Sequence, residues 1–115
     1  MFGNTEQRKN RRFPSSARAR IPGAFSGDAL LKDLSITGCR IECTEHADVQ
    51  EKKEYAITIY PEDVSGIGKF DLLGECEWLN PGTYSCDIGF DIKRSPTGKV
   101  FQRYVDYLTW RSSTS

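Results

Sequence analysis

The sequence is poor in the groups that most enzyme mechanisms need. Its 115 residues include one histidine, His46, and one methionine. His46 lies in a polar stretch, and no serine or cysteine sits in a nucleophile motif. A nucleophile with a base held by a third group is therefore not on offer. The four cysteines, Cys39, Cys43, Cys76 and Cys86, contain no Cys-x-x-Cys pair, which with a single histidine leaves a zinc site unsupported. They read instead as reduced, buried cysteines acting as small hydrophobes. No Gly-x-x-x-x-Gly-Lys phosphate loop is present. No apolar run approaches the roughly 18 residues of a membrane helix, and the basic N-terminus is not followed by the apolar core of a signal peptide. The expectation is a cytoplasmic protein that is not an enzyme, without metal or cofactor and without membrane insertion.

What is present suits one domain with one core. Apolar residues make up 37% and charged residues 28% of the chain, lean but outside the disordered range. The net charge is zero yet unevenly placed. Residues 1–20 hold Arg8, Lys9, Arg11, Arg12, Arg18 and Arg20 against Glu6, a net of +5, so the remaining 95 residues carry −5. A basic end on an acidic body suits a small phosphate-bearing ligand better than duplex DNA, which needs a wide basic footprint.

The patterning is mainly β. Residues 1–16 read as a flexible basic arm. Ala17–Phe25 reads as a strand broken by Pro22-Gly23, Ser26–Asp28 as a turn, and Ala29–Leu34 and Ile36–Cys43 as strands meeting at a Ser35–Gly38 corner. Thr44–Lys52 is polar, with room for a short helical turn. Tyr55, Ile57 and Ile59 alternate with Ala56 and Thr58 in Glu54–Tyr60, the period of a half-buried strand. Pro61–Gly68 is a loop. Phe70–Leu79 is expected to put Phe70, Leu72, Cys76 and Trp78 on one face, and Tyr84–Ile92 to complete a hairpin across an Asn80-Pro81-Gly82 turn. Ser95 is a candidate N-cap with Pro96 at the first helical position. Val100, Phe101, Tyr104, Val105 and Leu108 then recur at helical spacing, giving a C-terminal helix at about 96–110. Residues 17–111 thus form a six-stranded antiparallel β-barrel with a C-terminal α-helix, and 112–115 a disordered tail.

Two features carry chemistry. Arg8-Lys9-Asn10-Arg11-Arg12 places an Arg-x-x-x-Arg spacing on the arm. Guanidinium groups grip phosphates bidentately, stack on bases, and donate to the O6 and N7 edge of guanine. A solvated basic tail would read the same way. Asp33-Leu34-Ser35-Ile36-Thr37-Gly38 places Asp-x-Ser-x-x-Gly at a strand corner. A carboxylate can accept from guanine N1 and N2, a serine can cap the turn or donate to a ligand, and glycine permits positive φ or close approach. An ordinary polar turn uses the same residues.

Taken together, Arg8-x-x-x-Arg12 with Phe13-Pro14, then Asp33, Ser35 and Gly38, then a β-rich domain and a terminal helix, resemble the PilZ family. Gly74-Glu75-Cys76-Glu77-Trp78 and Ile88-Gly89-Phe90 resemble its later core strands. The resemblance implies a PilZ-like split barrel and a bacterial receptor for cyclic di-GMP, in which Arg8 and Arg12 hold phosphates and guanine and Arg11 adds a basic contact. Asp33 and Ser35 would hold a guanine edge, with Gly38 letting the backbone pass close. Trp78 is either a stacking face or core, core being the expectation. Gln7 stands where an arginine accompanies a stacked ligand pair in the family, which leaves the number of ligands open. The implied role is an adaptor, with no further domain before the arm, that changes conformation and signals to a protein effector in motility, chemotaxis or exopolysaccharide and biofilm control. A protein-interaction module without nucleotide, or a small RNA- or single-stranded-DNA-binding barrel, are the alternatives. The acidic body and few exposed aromatics count against the last.

Overall fold

The structure is a computed structural model describing residues 11–44 and 47–114. Among the described residues, seven strands are followed by one α-helix: β1 (Phe13–Pro14), β2 (Arg18–Ile21), β3 (Phe25–Leu34), β4 (Gly38–Cys43), β5 (Glu54–Tyr60), β6 (Phe70–Pro81), β7 (Cys86–Arg94) and α1 (Gly98–Thr114), with a short 3-10 turn at Asp63–Ser65 between β5 and β6. The sheet order is β1-β3-β2-β5-β6-β7-β4, and β3 also pairs with β4. All pairings are antiparallel. Strands β2 to β7 therefore close into the six-stranded barrel, and closure removes the exposed edges an open sheet would offer. Strand β1 lies outside the ring and pairs with the end of β3, Phe13 with Leu34 and Pro14 with Asp33. A proline is tolerated there because this peripheral strand pairs on one side.

Alternation fills the interior. Ala19 and Ile21, Leu31, Cys39, Ile41 and Cys43, Tyr55, Ile57 and Ile59, Phe70, Leu72 and Cys76, and Ile88 and Phe90 are all buried. Helix α1 buries Phe101, Tyr104, Val105 and Leu108, with Phe70 stacked on Phe101 at 5.7 Å and tilted against Tyr104 at 5.6 Å. Each such side chain contributes on the order of 1.5–3 kcal/mol, so the helix stripe is a major part of the core.

Several sequence expectations shift. Ser26–Asp28 is not a turn but part of β3. The outward Asp28 carboxylate meets Arg18 at 3.3 Å and Arg20 at 3.6 Å from β2, and the chain reverses earlier, where Ala24 N–H bonds Ile21 O at 2.8 Å. Strand β4 starts at Gly38 rather than Ile36. Residues 47–52 form no helix; they end in a turn with Lys52 at φ 71°. Asn80 and Pro81 continue β6, and the hairpin turns at Thr83-Tyr84, closed by Gly82 N–H on Ser85 O at 2.7 Å. The helix starts at Gly98 because Ser95 and Thr97 are spent on the neighbouring strand. Ser95 Oγ donates to Asp71 O at 2.5 Å, and Thr97 Oγ1 accepts from Asp71 N at 2.9 Å. The helix also runs on to Thr114, through positions assigned to a tail.

Candidate functional site

The Asp33–Gly38 corner is built by Ser35. Its hydroxyl accepts from the backbone N–H of Thr37 and of Gly38, each at 3.1 Å, and lies 3.4 Å from Gly38 O. Ser35 N–H bonds Gly38 O at 2.8 Å. Ser35 is 2% exposed, so its hydroxyl is a buried turn cap, which the Asp-x-Ser spacing allows. Gly38 is not in the left-handed region; among described residues Gly66 and Lys52 are. What Gly38 provides is room. A Cβ there would stand 2.6 Å from Arg12 Nη2 and 3.2 Å from Phe90 O.

The β1–β3 pairing carries the arm to this corner. Arg12 lies across Gly38 and reaches Asp33, Nη1 to Oδ1, at 3.5 Å. Arg40 brackets the same carboxylate from β4, Nε to Oδ2 at 3.2 Å, and its Nη1 meets Asp87 Oδ2 at 3.3 Å. The hydrogen bond to Asp33 raises the Arg40 pKa above its ordinary value, with the Asp87 charge adding to the effect. The Arg12–Asp33 pair is exposed on the arginine side and worth at most about 1 kcal/mol. An anion making charge-assisted hydrogen bonds of about 1.5–3 kcal/mol can therefore draw Arg12 away. Beneath the corner, burial pushes the Cys39 thiol up to about 12, the Arg12 charge opposing and the Asp33 charge assisting.

The outer face continues as a row. Asp33 pairs with Arg40, Arg40 with Gly89, and Gly89 with Trp78. The sequence pattern puts Trp78 in the core with Phe70, Leu72 and Cys76. A register shift between Cys76 and Trp78 turns it outward instead, since one extra residue in a strand reverses the facing of the residues beyond it. It is 38% exposed, and its indole covers Gly89, where a Cβ would collide with the ring.

Arg12, Asp33 and Gly38 thus lie together at the corner. Arg11 turns to the other side of the corner, its guanidinium 5.5 Å from the Phe13 ring centroid. There it borders a groove of about 270 Å³ with Ser35 and Ile36, walled by Gln102, Val105, Asp106 and Thr109 of α1. Arg8 lies outside the described residues. Arg40 and Asp87 escaped the sequence reading. The available signal was alternation: Arg40 is the outward residue two after Gly38, and Asp87 occupies an outward position on the neighbouring β7.

The foot of the arm is clamped to the helix. Ser15 Oγ and Tyr104 Oη lie 2.8 Å apart, and Tyr104 donates to Glu62 Oε1 at 2.6 Å. Arg111 donates to Glu62 Oε2 at 3.1 Å and to Pro14 O at 2.9 Å. Burial alone would push the Glu62 carboxyl up. Its hydrogen bonds, those from Tyr104 and Arg111 among them, outweigh that and hold it below its ordinary 4.5.

Comparison with known proteins fits this architecture. A solved structure described as the Bacillus subtilis inhibitor of motility (MotI/DgrA) superposes with a TM-score of 0.73 at 13% identity, over 95% of this chain and 52% of that one. This chain spans about half that protein's length, and at such low identity the likeness is one of fold. No curated relative matches the sequence. Among described residues no group of three or more His, Cys, Asp or Glu is placed to hold a metal ion, and no helix is long and apolar enough to cross a membrane. The family model for the PilZ domain matches residues 6–109, through the arginine arm, the serine-capped corner, the barrel and most of α1, and the chain belongs to that family of receptor and adaptor domains.

Proposed function

We propose that this domain binds cyclic di-GMP at the Asp33–Gly38 corner and relays the event to a protein effector. The observation that carries the reading is the placement of Arg12, seated over a glycine and 3.5 Å from Asp33. A guanidinium beside a carboxylate on an accessible face offers phosphate and guanine contacts together. Arg8, four positions earlier in the sequence, is the proposed second phosphate ligand. Arg11 supplies a further positive charge once it leaves Phe13. Asp33 accepts from the guanine edge, Ser35 holds the corner's shape from within, and Gly38 leaves space for the backbone to meet the ligand. The outward indole of Trp78 is a stacking face two strands away across the same row. No group in the corner is arranged as a nucleophile with its base, and the proposed role is binding without catalysis, in the cytoplasm, with cyclic di-GMP as ligand rather than cofactor.

In this reading the ligand draws Arg12 from its weak pairing, changes how the arm lies, and alters the surface made by β1 and α1. Such a switch can be driven only by different ligand affinities of the two states. The neighbour described as an inhibitor of motility makes motility control the first output to examine. Calorimetric titration with cyclic di-GMP tests the site. Arg12→Ala is expected to weaken binding about tenfold to a hundredfold, the worth of lost charge-assisted hydrogen bonds. Equal affinities would remove Arg12 from the site, and no binding by the unaltered protein would overturn the receptor reading.

A further inference from the structure

Arg40 is held in a way that a merely solvent-facing strand residue is not. It projects from β4 on the outer face, opposite Asp33 of β3. Its fork is split between two carboxylates, Nε to Asp33 Oδ2 at 3.2 Å and Nη1 to Asp87 Oδ2 at 3.3 Å. Two anchors on different strands fix the plane of the guanidinium, and the fixed guanidinium fixes the Asp33 carboxylate. Oδ2 is occupied by a good hydrogen bond. Oδ1 has the 3.5 Å contact from Arg12, which is long for one. The atom left open to a ligand is therefore Oδ1, on the side where the arm lies.

We propose that Arg40 is a positioning residue for base recognition: anchored on Asp87, it holds Asp33 with Oδ1 turned outward to accept the N1 and N2 hydrogens of guanine, and so sets the preference for guanine over a base without the 2-amino group. This rests on the cyclic di-GMP reading and deepens it. A lysine in place of Arg40 keeps the charge, but its ammonium is a point donor and does not span both carboxylates in a fixed plane. Arg40 acts through Asp33, so its contribution exists only while Asp33 is there to be held.

The test compares cyclic di-GMP with its hypoxanthine analogue cyclic di-IMP, which lacks the 2-amino groups, by calorimetry on the full chain. Arg40→Ala is expected to lower cyclic di-GMP affinity roughly tenfold, to affect cyclic di-IMP less, and so to narrow the ratio between them. Arg40→Lys should recover little of that ratio. Arg40→Ala should add nothing to Asp33→Ala. If both nucleotides weaken in proportion, or the two substitutions add in full, Arg40 is a phosphate contact or a structural residue and the proposal is overturned. A lowered melting temperature with an unchanged ratio overturns it as well. Failure of the unaltered protein to bind cyclic di-GMP overturns the receptor reading and this inference with it, whereas normal binding with a ratio indifferent to Arg40 overturns the inference alone.

Discussion

Gly38 has no Cβ, and the space a Cβ would need is occupied by the end of Arg12 and approached by the Phe90 carbonyl. The two neighbours differ in how they respond. A guanidinium at the end of a flexible chain moves at little cost, whereas Phe90 O, at 3.2 Å, belongs to the β7 ladder and gives by only tenths of an ångström. Gly38→Ala is therefore expected to fold, because its φ is not one that requires glycine, but to fill the space over the corner in which the Arg12 guanidinium lies and the proposed ligand would meet it. The expected result is a melting temperature close to that of the unaltered protein with cyclic di-GMP affinity reduced about tenfold, the size of one charged hydrogen bond. A thermal melt and a titration on the same preparation check both halves. The corner's glycine thus serves side-chain approach, not backbone conformation.

At the scale of elements, the arm, the β5–β6 connection and α1 meet in one polar knot of Ser15, Glu62, Tyr104 and Arg111. Tyr104 is fully buried. Burial and the Glu62 hydrogen bond raise its pKa, so it remains a protonated donor. Tyr104→Phe removes that donor from Glu62 and is expected to cost about 1–3 kcal/mol, measurable as a lower denaturant midpoint. The pH dependence arises from the Glu62 carboxyl, whose folded pKa lies below its ordinary 4.5. A depressed carboxylate pKa stabilises the fold fully above the unfolded value, and the contribution disappears as pH falls through the folded one. The unaltered protein should lose melting temperature as pH drops below about 4.5. Glu62→Gln should start lower at neutral pH and lose less on acidification. Arg111 also bonds Pro14 O, which ties the foot of the arm to α1.

For the whole molecule, the four cysteines report on the integrity of the barrel. All four are buried and free. Burial pushes Cys39 and Cys43 up to about 12 and raises Cys76 and Cys86 as well. The thiolate is the reactive form, so alkylation of the folded protein at neutral to mildly basic pH should be slow at all four sites. Labelling is expected to rise together with loss of the far-ultraviolet circular dichroism signal in denaturant, as for a single cooperative core. Fast labelling of one cysteine in the folded protein would mean that its strand opens independently of the rest. The charge asymmetry also belongs to this scale. The first 20 residues carry a net +5 and the remaining 95 a net −5, and binding of a small dianion is expected to be less salt-dependent than binding of a polyanion would be.

The local residue pattern determined the strands that alternate cleanly, Glu54–Tyr60 above all, together with the helical stripe and the corner motif. In each of these the periodicity of burial is written directly in side-chain polarity. The arm and corner motifs were each legible as short spacings, but only the resemblance to the family joined Arg12 to Asp33 and Gly38. Tertiary structure alone decided the rest. Trp78 faces outward because of a one-residue register shift, which depends on the partner strand and leaves no mark on composition. The helix begins at Gly98 because the Ser95 and Thr97 side chains bond Asp71 of β6. Ser35 became a buried cap and Arg40 a bracket on Asp33 because antiparallel pairing sets β3 beside β4 and β4 beside β7. Propensity and period act between near neighbours in the chain, while register, facing and shared hydrogen bonds are settled between segments far apart in it.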